Sequence, residues 1–499
     1  MYTSSDKMDS PVQIPFNSFV TIDKDDANPV YLQITFSFIK AIQLGLLPEG
    51  TKLPGTRILC KLIKINRNTL IKAFHELEAQ GFIEIFPSRG VFVLSSQKHD
   101  KNAGVLNSPR KIVSSQANEL SFVRSALLEN PTEISDLPLQ FNDGMPDQSL
   151  MLYDTLARLY VSKLKHHNPK NNNSQLIHVN FKKQLSNFLN LSRNLRISAE
   201  NLFSTNSHEI CLYLIFKILI SPRDKVVVAA PSYYLSNMTI SDSGAEIISV
   251  PVDEDGIKIE SLRQICAGQQ IKILYLTSVY HYPTTVSLSA KRRIQLLELA
   301  EEFGLIIVED DYEFDFHFDN NPVLPLAALN TNSNVIYVGS LARSLPAGFG
   351  YGFVSAPESF IIELEKHHKI LSAGVDNIRE QVLTSWIENG EIHRVLKKSK
   401  KIYRQRRDWF AGLLTEQLAA HIKFITPSRG LAFWIEWADH PNLAKLKKKC
   451  AENGLFLPKT SLYQNRNLTA TRLGFGNFDY AEMKAAINIL ANSIKTLNN

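Results

Sequence analysis

The stretch Pro48–Leu94, PEGTKLPGTRILCKLIKINRNTLIKAFHELEAQGFIEIFPSRGVFVL, decides how the N-terminal part of this chain folds. Asn66 is a good helix N-cap, and Ile65 and Leu70 stand at the two positions of a hydrophobic staple, so a helix is predicted to start here. Leu70, Ala73, Phe74 and Leu77 repeat at i, i+3, i+4, i+7 and give that helix one apolar face, with Gly81 as its expected stop. A shorter helix over Thr56–Ile63 precedes it across a Lys64–Ile65 turn, which is helix-turn-helix spacing. Two short apolar runs, Phe82–Phe86 and Val91–Leu94, hinge on Pro87-Ser88-Arg89-Gly90 and predict a hairpin with an arginine at its tip. A further helix is predicted over Pro29–Ile42.

The polar face of the longer helix carries Arg67, Asn68 and Thr69 in its first turn and Lys72 one turn on. A helix that offers its first turn to base edges, while arginines hold phosphates, suits duplex DNA. Between Pro29 and Leu94 there are eight Lys/Arg and four Asp/Glu, a local excess of four positive charges. The segment resembles the winged helix-turn-helix of the GntR family of bacterial transcription regulators. The matching residues are Pro29-Val30-Tyr31-Leu32-Gln33-Ile34, Gly45 through Leu53, Pro54-Gly55-Thr56-Arg57, Asn66-Arg67-Asn68-Thr69 and Arg89-Gly90. The resemblance implies that Arg57, Arg67 and Arg89 touch DNA. With Asn66, Asn68, Thr69, Lys72 and Gly90 they form the expected DNA-binding set.

At 499 residues and 44% apolar content, the chain has ample material for a second body with its own core, and its net charge of +6 is modest. Cys60, Cys211, Cys266 and Cys450 show neither paired nor metal-ligand spacing, so free thiols in a reducing compartment are expected. No signal-like N-terminus and no apolar run of the roughly 18 residues a membrane helix needs are present, and a cytoplasmic protein is expected. Residues 1–27 read as a flexible lead-in and 28–94 as the DNA-binding head. Residues 95–136 read as a polar linker with a helix over Leu120–Leu128.

From Leu137 the pattern changes. Aliphatic runs at Lys225–Ala229, Glu246–Val250, Lys272–Leu276, Leu305–Glu309, Val335–Val338 and Tyr351–Val354 alternate with helical segments such as Ala290–Phe303. That predicts an α/β body over 137–371 with a mostly parallel sheet, followed by a smaller α+β subdomain over 372–499. Across this body the order FNDGMPDQSL, FSTNSHE, APSYY, TSVYHYPTTVSLSAKRR, IIVEDDYEFDF, VGSLARSLPAGFGYGF and TRLGFGN resembles a fold type I, pyridoxal-phosphate (PLP) aminotransferase. A GntR-type head on such a body is the plan of the MocR group of regulators. The fold class is therefore multidomain: an α+β winged helix-turn-helix, then an α/β aminotransferase-like domain and its α+β subdomain.

The resemblance assigns parts to the pocket. Asp310 stands where a carboxylate holds the pyridinium nitrogen, with Tyr312 two residues on, and Tyr233 where a ring stacks on the pyridine. Ser207 and Ser340 stand on the phosphate side, and Arg472 where a ligand carboxylate is clamped. The Schiff-base lysine is missing: where the family reads Gly-Ser-Phe-Ser-Lys, this chain reads Gly339-Ser340-Leu341-Ala342-Arg343. A guanidinium stays protonated and is no amine nucleophile. The family's phosphate-clamping arginine is Gly350, its phosphate-loop glycine is Asn206, and the glycine closing its Pro-Thr-Gly turn is Thr285. A pseudo-aminotransferase is expected, with no covalent cofactor and no metal. A dimeric DNA-binding regulator is expected, whose body either senses a small anionic ligand through Arg343 and Arg472 or serves as a ligand-independent dimer scaffold. The alternatives are PLP held as a non-covalent effector and, less favoured, a working aminotransferase. Plain structural roles stay open as well: an Asp310–Arg343 ion pair, an internal salt bridge for Arg472, and helix-cap or turn roles for Ser207 and Ser340.

Overall fold

The computed structural model describes residues 16–20, 22–23, 28–43, 46–48, 50–79, 82–86, 89–94, 125, 128, 135–166, 174–318, 323–330, 334–372, 376–458, 462–464 and 468–498. Most of the expected lead-in and linker, Gly81 and the Pro87-Ser88 hinge lie outside them. The chain forms two compact units that divide between Ser121 and Phe122.

The first unit contains helices α1 (Phe16–Phe19), α2 (Val30–Gln43), α3 (Thr56–Ile63) and α4 (Arg67–Ala79), and strands β1 (Lys52–Leu53), β2 (Ile83–Phe86) and β3 (Gly90–Val93). Asn66 caps α4 as its chemistry predicts, its side-chain oxygen accepting from the Asn68 N–H at 3.1 Å. Lys64 makes the tight turn in the left-handed region at φ 53°. The apolar face of α4, Leu70, Ala73, Phe74 and Leu77, is buried with Ile34, Phe38, Leu59, Ile83 and Val93. Each such side chain taken out of water contributes roughly 1.5–3 kcal/mol. Sequence patterning missed β1: Lys52 and Leu53 pair antiparallel with Phe92 and Val91 and add a third strand to the hairpin. Two residues are too few for an alternation to show.

The second unit begins with β4 (Leu139–Gln140), α5 (Tyr153–Lys165), α6 (Ser174–Arg193), β5 (Leu202–Thr205), α7 (His208–Leu219), β6 (Lys225–Ala230), α8 (Tyr234–Asp242) and β7 (Glu246–Asp253). It continues through β8 (Gly256–Ile257), α9 (Ile259–Gly268), β9 (Ile273–Leu276), α10 (Ala290–Phe303), β10 (Ile306–Asp311), α11 (Leu326–Leu329), β11 (Val335–Ser340), β12 (Gly352–Ser355) and α12 (Glu358–Leu371). Eight strands form one sheet in the order β5-β12-β11-β10-β9-β6-β7-β8. The five from β11 to β7 run parallel. Only the pairings of β12 with its two neighbours and of β7 with β8 are antiparallel.

Strand periodicity explains the two layers of helices. On β6, Val226 and Val228 enter a core with Cys211, Leu212, Ile215 and Phe216 of α7. The alternate residues Val227 and Ala229 enter a second core with Leu262 of α9 and Leu296 and Leu299 of α10. Successive side chains leave opposite faces of a strand, so a run apolar at every position needs a cover on both sides.

The remainder is α13 (Asn377–Glu388), α14 (Glu391–Leu418), β13 (Ile422–Phe424), β14 (Ala432–Trp437), α15 (Leu443–Glu452), β15 (Leu455–Phe456), β16 (Ala470–Gly474) and α16 (Tyr480–Asn498). Strands β13, β14 and β16 form an antiparallel sheet. One pairing differs from the linear division expected of the sequence: Leu139 and Gln140 run parallel to Leu455 and Phe456. The first strand of the body thus joins the C-terminal portion, a long-range pairing that no local pattern announces.

Candidate functional site

On the head, Arg57 lies in the first turn of α3 and Arg67, Asn68 and Thr69 in the first turn of α4, with Lys72 above them and Arg89 beside the start of β3. Arg57, Asn66, Arg67, Asn68, Lys72 and Arg89 are exposed, and Thr69 and Gly90 are half-buried. Among the described residues no carboxylate pairs with these cations. Gly90 has φ 115°, a backbone conformation that favours glycine at the wing turn.

In the body, the C-terminal ends of the parallel strands surround a cavity of about 270 Å³. Open α/β sheets place their ligands at this edge. Asn206 and Ser207 line it from the turn between β5 and α7, His208 and Glu209 from the start of α7, Tyr233 from the turn after β6, Asp310 from β10 with Tyr312 just beyond it, and Ser340 from the end of β11 with Arg343 in the turn that follows. Six of the seven body residues expected at the site therefore share one cavity. The seventh, Arg472 on β16, is buried beside it and bonded to Asp143, which does line it.

The acidic run Glu309-Asp310-Asp311 divides its work by strand alternation. Glu309 accepts from Ser278 and from the Leu326 and Ala327 N–H groups that open α11. Asp311 binds Arg193 and accepts from Tyr337. Asp310, between them, faces the cavity: its Oδ2 accepts from Tyr275 at 2.8 Å. Its Oδ1 lies 3.0 Å from His208 Nε2 without the alignment of a hydrogen bond. Burial opposes a charge on His208, but Asp310 outweighs it and raises the pKa, favouring the imidazolium. The Asp310–Arg343 ion pair left open by the sequence does not form.

Arg343 instead donates to the Gly144 carbonyl at 2.6 Å and approaches Glu313 at 3.7 Å. Arg472 is equally engaged. Its Nε is 2.9 Å from Asp143, and it donates to the Pro283 carbonyl at 3.0 Å and the Tyr312 hydroxyl at 3.3 Å. It also lies over the rings of Tyr280 and Tyr282. Burial opposes its charge, yet Tyr312, Tyr280, Asp143 and Glu313 push its pKa further up. An anionic ligand at Arg343 and Arg472 would therefore compete with the protein's own acceptors for both guanidiniums. Sequence reading passed over Asp143, Glu209 and Glu313, although each sits inside a motif quoted above. An acid beside a phosphate-loop serine was the signal available.

PLP can be tested against these residues directly. Ser207 is the N-cap of α7: its oxygen accepts from the Glu209 and Ile210 N–H groups, and its hydroxyl donates to the Glu209 carboxylate at 2.6 Å. The end of the helix that would cradle a phosphate thus carries a carboxylate. Burial raises the pKa of Glu209, but Ser207, His208 and Arg343 outweigh it and hold the group ionised. Ser340 accepts from the Ala342 N–H at 3.1 Å, and Gly350 offers no charge. Asp310 and Tyr233 remain suited to a pyridine ring, but the phosphate end does not fit, and no lysine is among the described residues that line the cavity.

Residues 31–93 match the bacterial regulatory proteins of the gntR family, and residues 151–490 match aminotransferase class I and II. The HTH-type transcriptional regulator YdfD of Bacillus subtilis is 24% identical over 481 residues, covering 94% of this chain and 97% of that protein. The probable rhizopine catabolism regulatory protein MocR of Rhizobium meliloti is 23% identical, covering 80% of each. The crystal structure of a multiple substrate aminotransferase from Thermococcus profundus superposes with a TM-score of 0.66 over 74% of this chain and 93% of that one, at 22% identity, and shares the fold. No helix among the described residues is long and apolar enough to cross a membrane. The chain belongs to the aminotransferase class I and II family and carries, ahead of that body, a regulatory head of the gntR family.

Proposed function

We propose that this protein is a DNA-binding transcription regulator whose aminotransferase-like body binds a small molecule and dimerises but performs no Schiff-base chemistry. What supports this reading is Arg343: the resemblance puts it where the family has its lysine, and its guanidinium donates to Gly144 and lies 3.7 Å from Glu313. The head supplies the DNA contacts, with Arg67, Asn68, Thr69 and Lys72 directed to the groove and Arg57 and Arg89 to phosphates. Regulators named as such among the relatives align over nearly the whole chain, head and body together, which supports one shared plan. Dimerisation is supported by large apolar side chains left in solvent on three helices of the body. Leu176 on α6 is 65% exposed and Ile370 on α12 is 84% exposed, with Leu164 on α5 also open.

The test is binding of the full chain to the duplex upstream of its own gene, followed by fluorescence anisotropy over a range of salt. Arg67→Ala should weaken binding, and removing a phosphate contact with Arg57→Ala should lower the log–log salt slope by about one. If both variants bind like the parent, the head has been misread. Transamination of common amino acids by the purified parent would end the non-enzymatic reading.

A further inference from the structure

The acceptors left over in the body's cavity point to the chemistry of its ligand. The inference rests on reading the body as a binder rather than a catalyst and names what is bound. The guanidiniums at the cavity already donate within the protein, Arg343 to Gly144 and Arg472 to Pro283 and Tyr312. Carboxylate oxygens are not used up in the same way. Asp310 is 2% exposed and lines the cavity, and its Oδ1, 3.0 Å from His208 Nε2, has no aligned donor among the described residues. Glu209 gives one oxygen to Ser207 and stands exposed at the mouth. A buried acceptor without a donor costs roughly 1–3 kcal/mol, so a ligand that brings an N–H gains by supplying it.

The lining between these acids is aromatic. Tyr233 packs edge-on against Tyr282 at 5.0 Å, and Tyr282 against Tyr312 at 6.0 Å. Ring faces attract cations and cover hydrocarbon equally well. Burial, then Glu209, Tyr234, Asp310 and Asp143, raise the pKa of the Tyr233 phenol, so all three lining carboxylates bear on this ring.

We propose that the cavity takes a small organic ammonium, hydrogen-bonded to Asp310 and Glu209 with its hydrocarbon part against Tyr233, and not a phosphate or carboxylate. The test is calorimetric titration of the full chain with phenethylamine, putrescine, inorganic phosphate and PLP, each at up to millimolar concentration. At least one amine is expected to bind, with inorganic phosphate inert. Glu209→Gln should weaken that amine about tenfold, the loss of one charge-assisted hydrogen bond. Glu209 is at the surface, so this variant keeps the fold; Asp310→Asn, checked by circular dichroism, should weaken it at least as much. Failure of both amines, or unchanged amine affinity in both variants, overturns the assignment. Phosphate binding with no amine binding overturns the charge class and leaves the regulator reading intact. A borohydride-trapped PLP adduct overturns that reading itself.

Discussion

An arginine kept ready for a ligand and one that holds the protein together respond oppositely to removal, and Arg472 separates the two. Its side chain is 2% exposed and bonded to Asp143, Pro283 and Tyr312, with Glu313, fully buried, 3.8 Å away. Arg472→Met keeps an unbranched apolar stem and removes the guanidinium with its charge, its hydrogen bonds and its contacts over Tyr280 and Tyr282. Breaking a buried pair leaves the partner uncompensated and costs about 3–5 kcal/mol. For a body of this size, at about 2 °C per kcal/mol, the melting temperature should fall by about 6–10 °C. The loss should also depend on pH. Burial already raises the pKa of Glu313, with Arg343 and Arg472 pulling against it. Without Arg472, that folded-state pKa rises further above the unfolded value, so the folded state binds the proton more readily and the deficit grows as pH rises. Thermal melts at acid and alkaline pH measure this, and Glu313→Gln in the Arg472→Met background should recover part of it. An arginine waiting for a ligand predicts a melt within about 1 kcal/mol of the parent, and that result would refute the reasoning.

Other positions give independent checks. Thr285, which stands where the family has glycine, adopts φ 65°, a left-handed conformation costly for a β-branched residue. Thr285→Gly should therefore stabilise the body by about 1 kcal/mol in urea titration. Burial pushes the Asp315 carboxyl up to about 7, against the pull of the nearby Ser344 hydroxyl and of the Lys400 and Arg193 charges. Its ionised form then costs stability as pH rises from its unfolded value toward 7, so Asp315→Asn should stabilise the protein at pH 8 (~8) and progressively less under acid. Asn66→Ala should remove about 1 kcal/mol from the head through loss of the α4 cap, read as an earlier urea transition of that unit. Arg343→Lys restores an amine but leaves Glu209 at the phosphate end, and incubation with PLP and borohydride should yield little labelled protein.

Local physics made much of this legible. The α4 face, the Asn66 cap and the α3–α4 turn follow from residues within one or two helical turns of each other, and α10 occupies Ala290–Phe303 as its periodicity predicts. Buried strands showed as aliphatic runs because both faces are covered. The site was legible in its list of members but not in its bonds. Nothing in the spacing of Arg472, Asp143 and Glu313 says they will neutralise one another, because their approach is made by the tertiary fold. The same holds for His208 and Asp310. Ser207 could be read as a cap or as a phosphate ligand, and what decides is Glu209, whose carboxylate takes its hydroxyl.

The parallel pairing of Leu139–Gln140 with Leu455–Phe456 has a mechanical consequence. The chain coming from the head is stitched first to the C-terminal portion of the body, before it enters the eight-stranded sheet. Phe141 N–H bonds to the Phe456 carbonyl and Gly474 N–H to the Asn142 carbonyl, and Asp143, the next residue, holds Arg472. The strand that joins the C-terminal portion and the wall of the cavity are thus successive links of one strap. A ligand that displaced Asp143 would disturb the same few residues of backbone that make this pairing, so the cavity and the seam between the two ends of the body answer to one short segment.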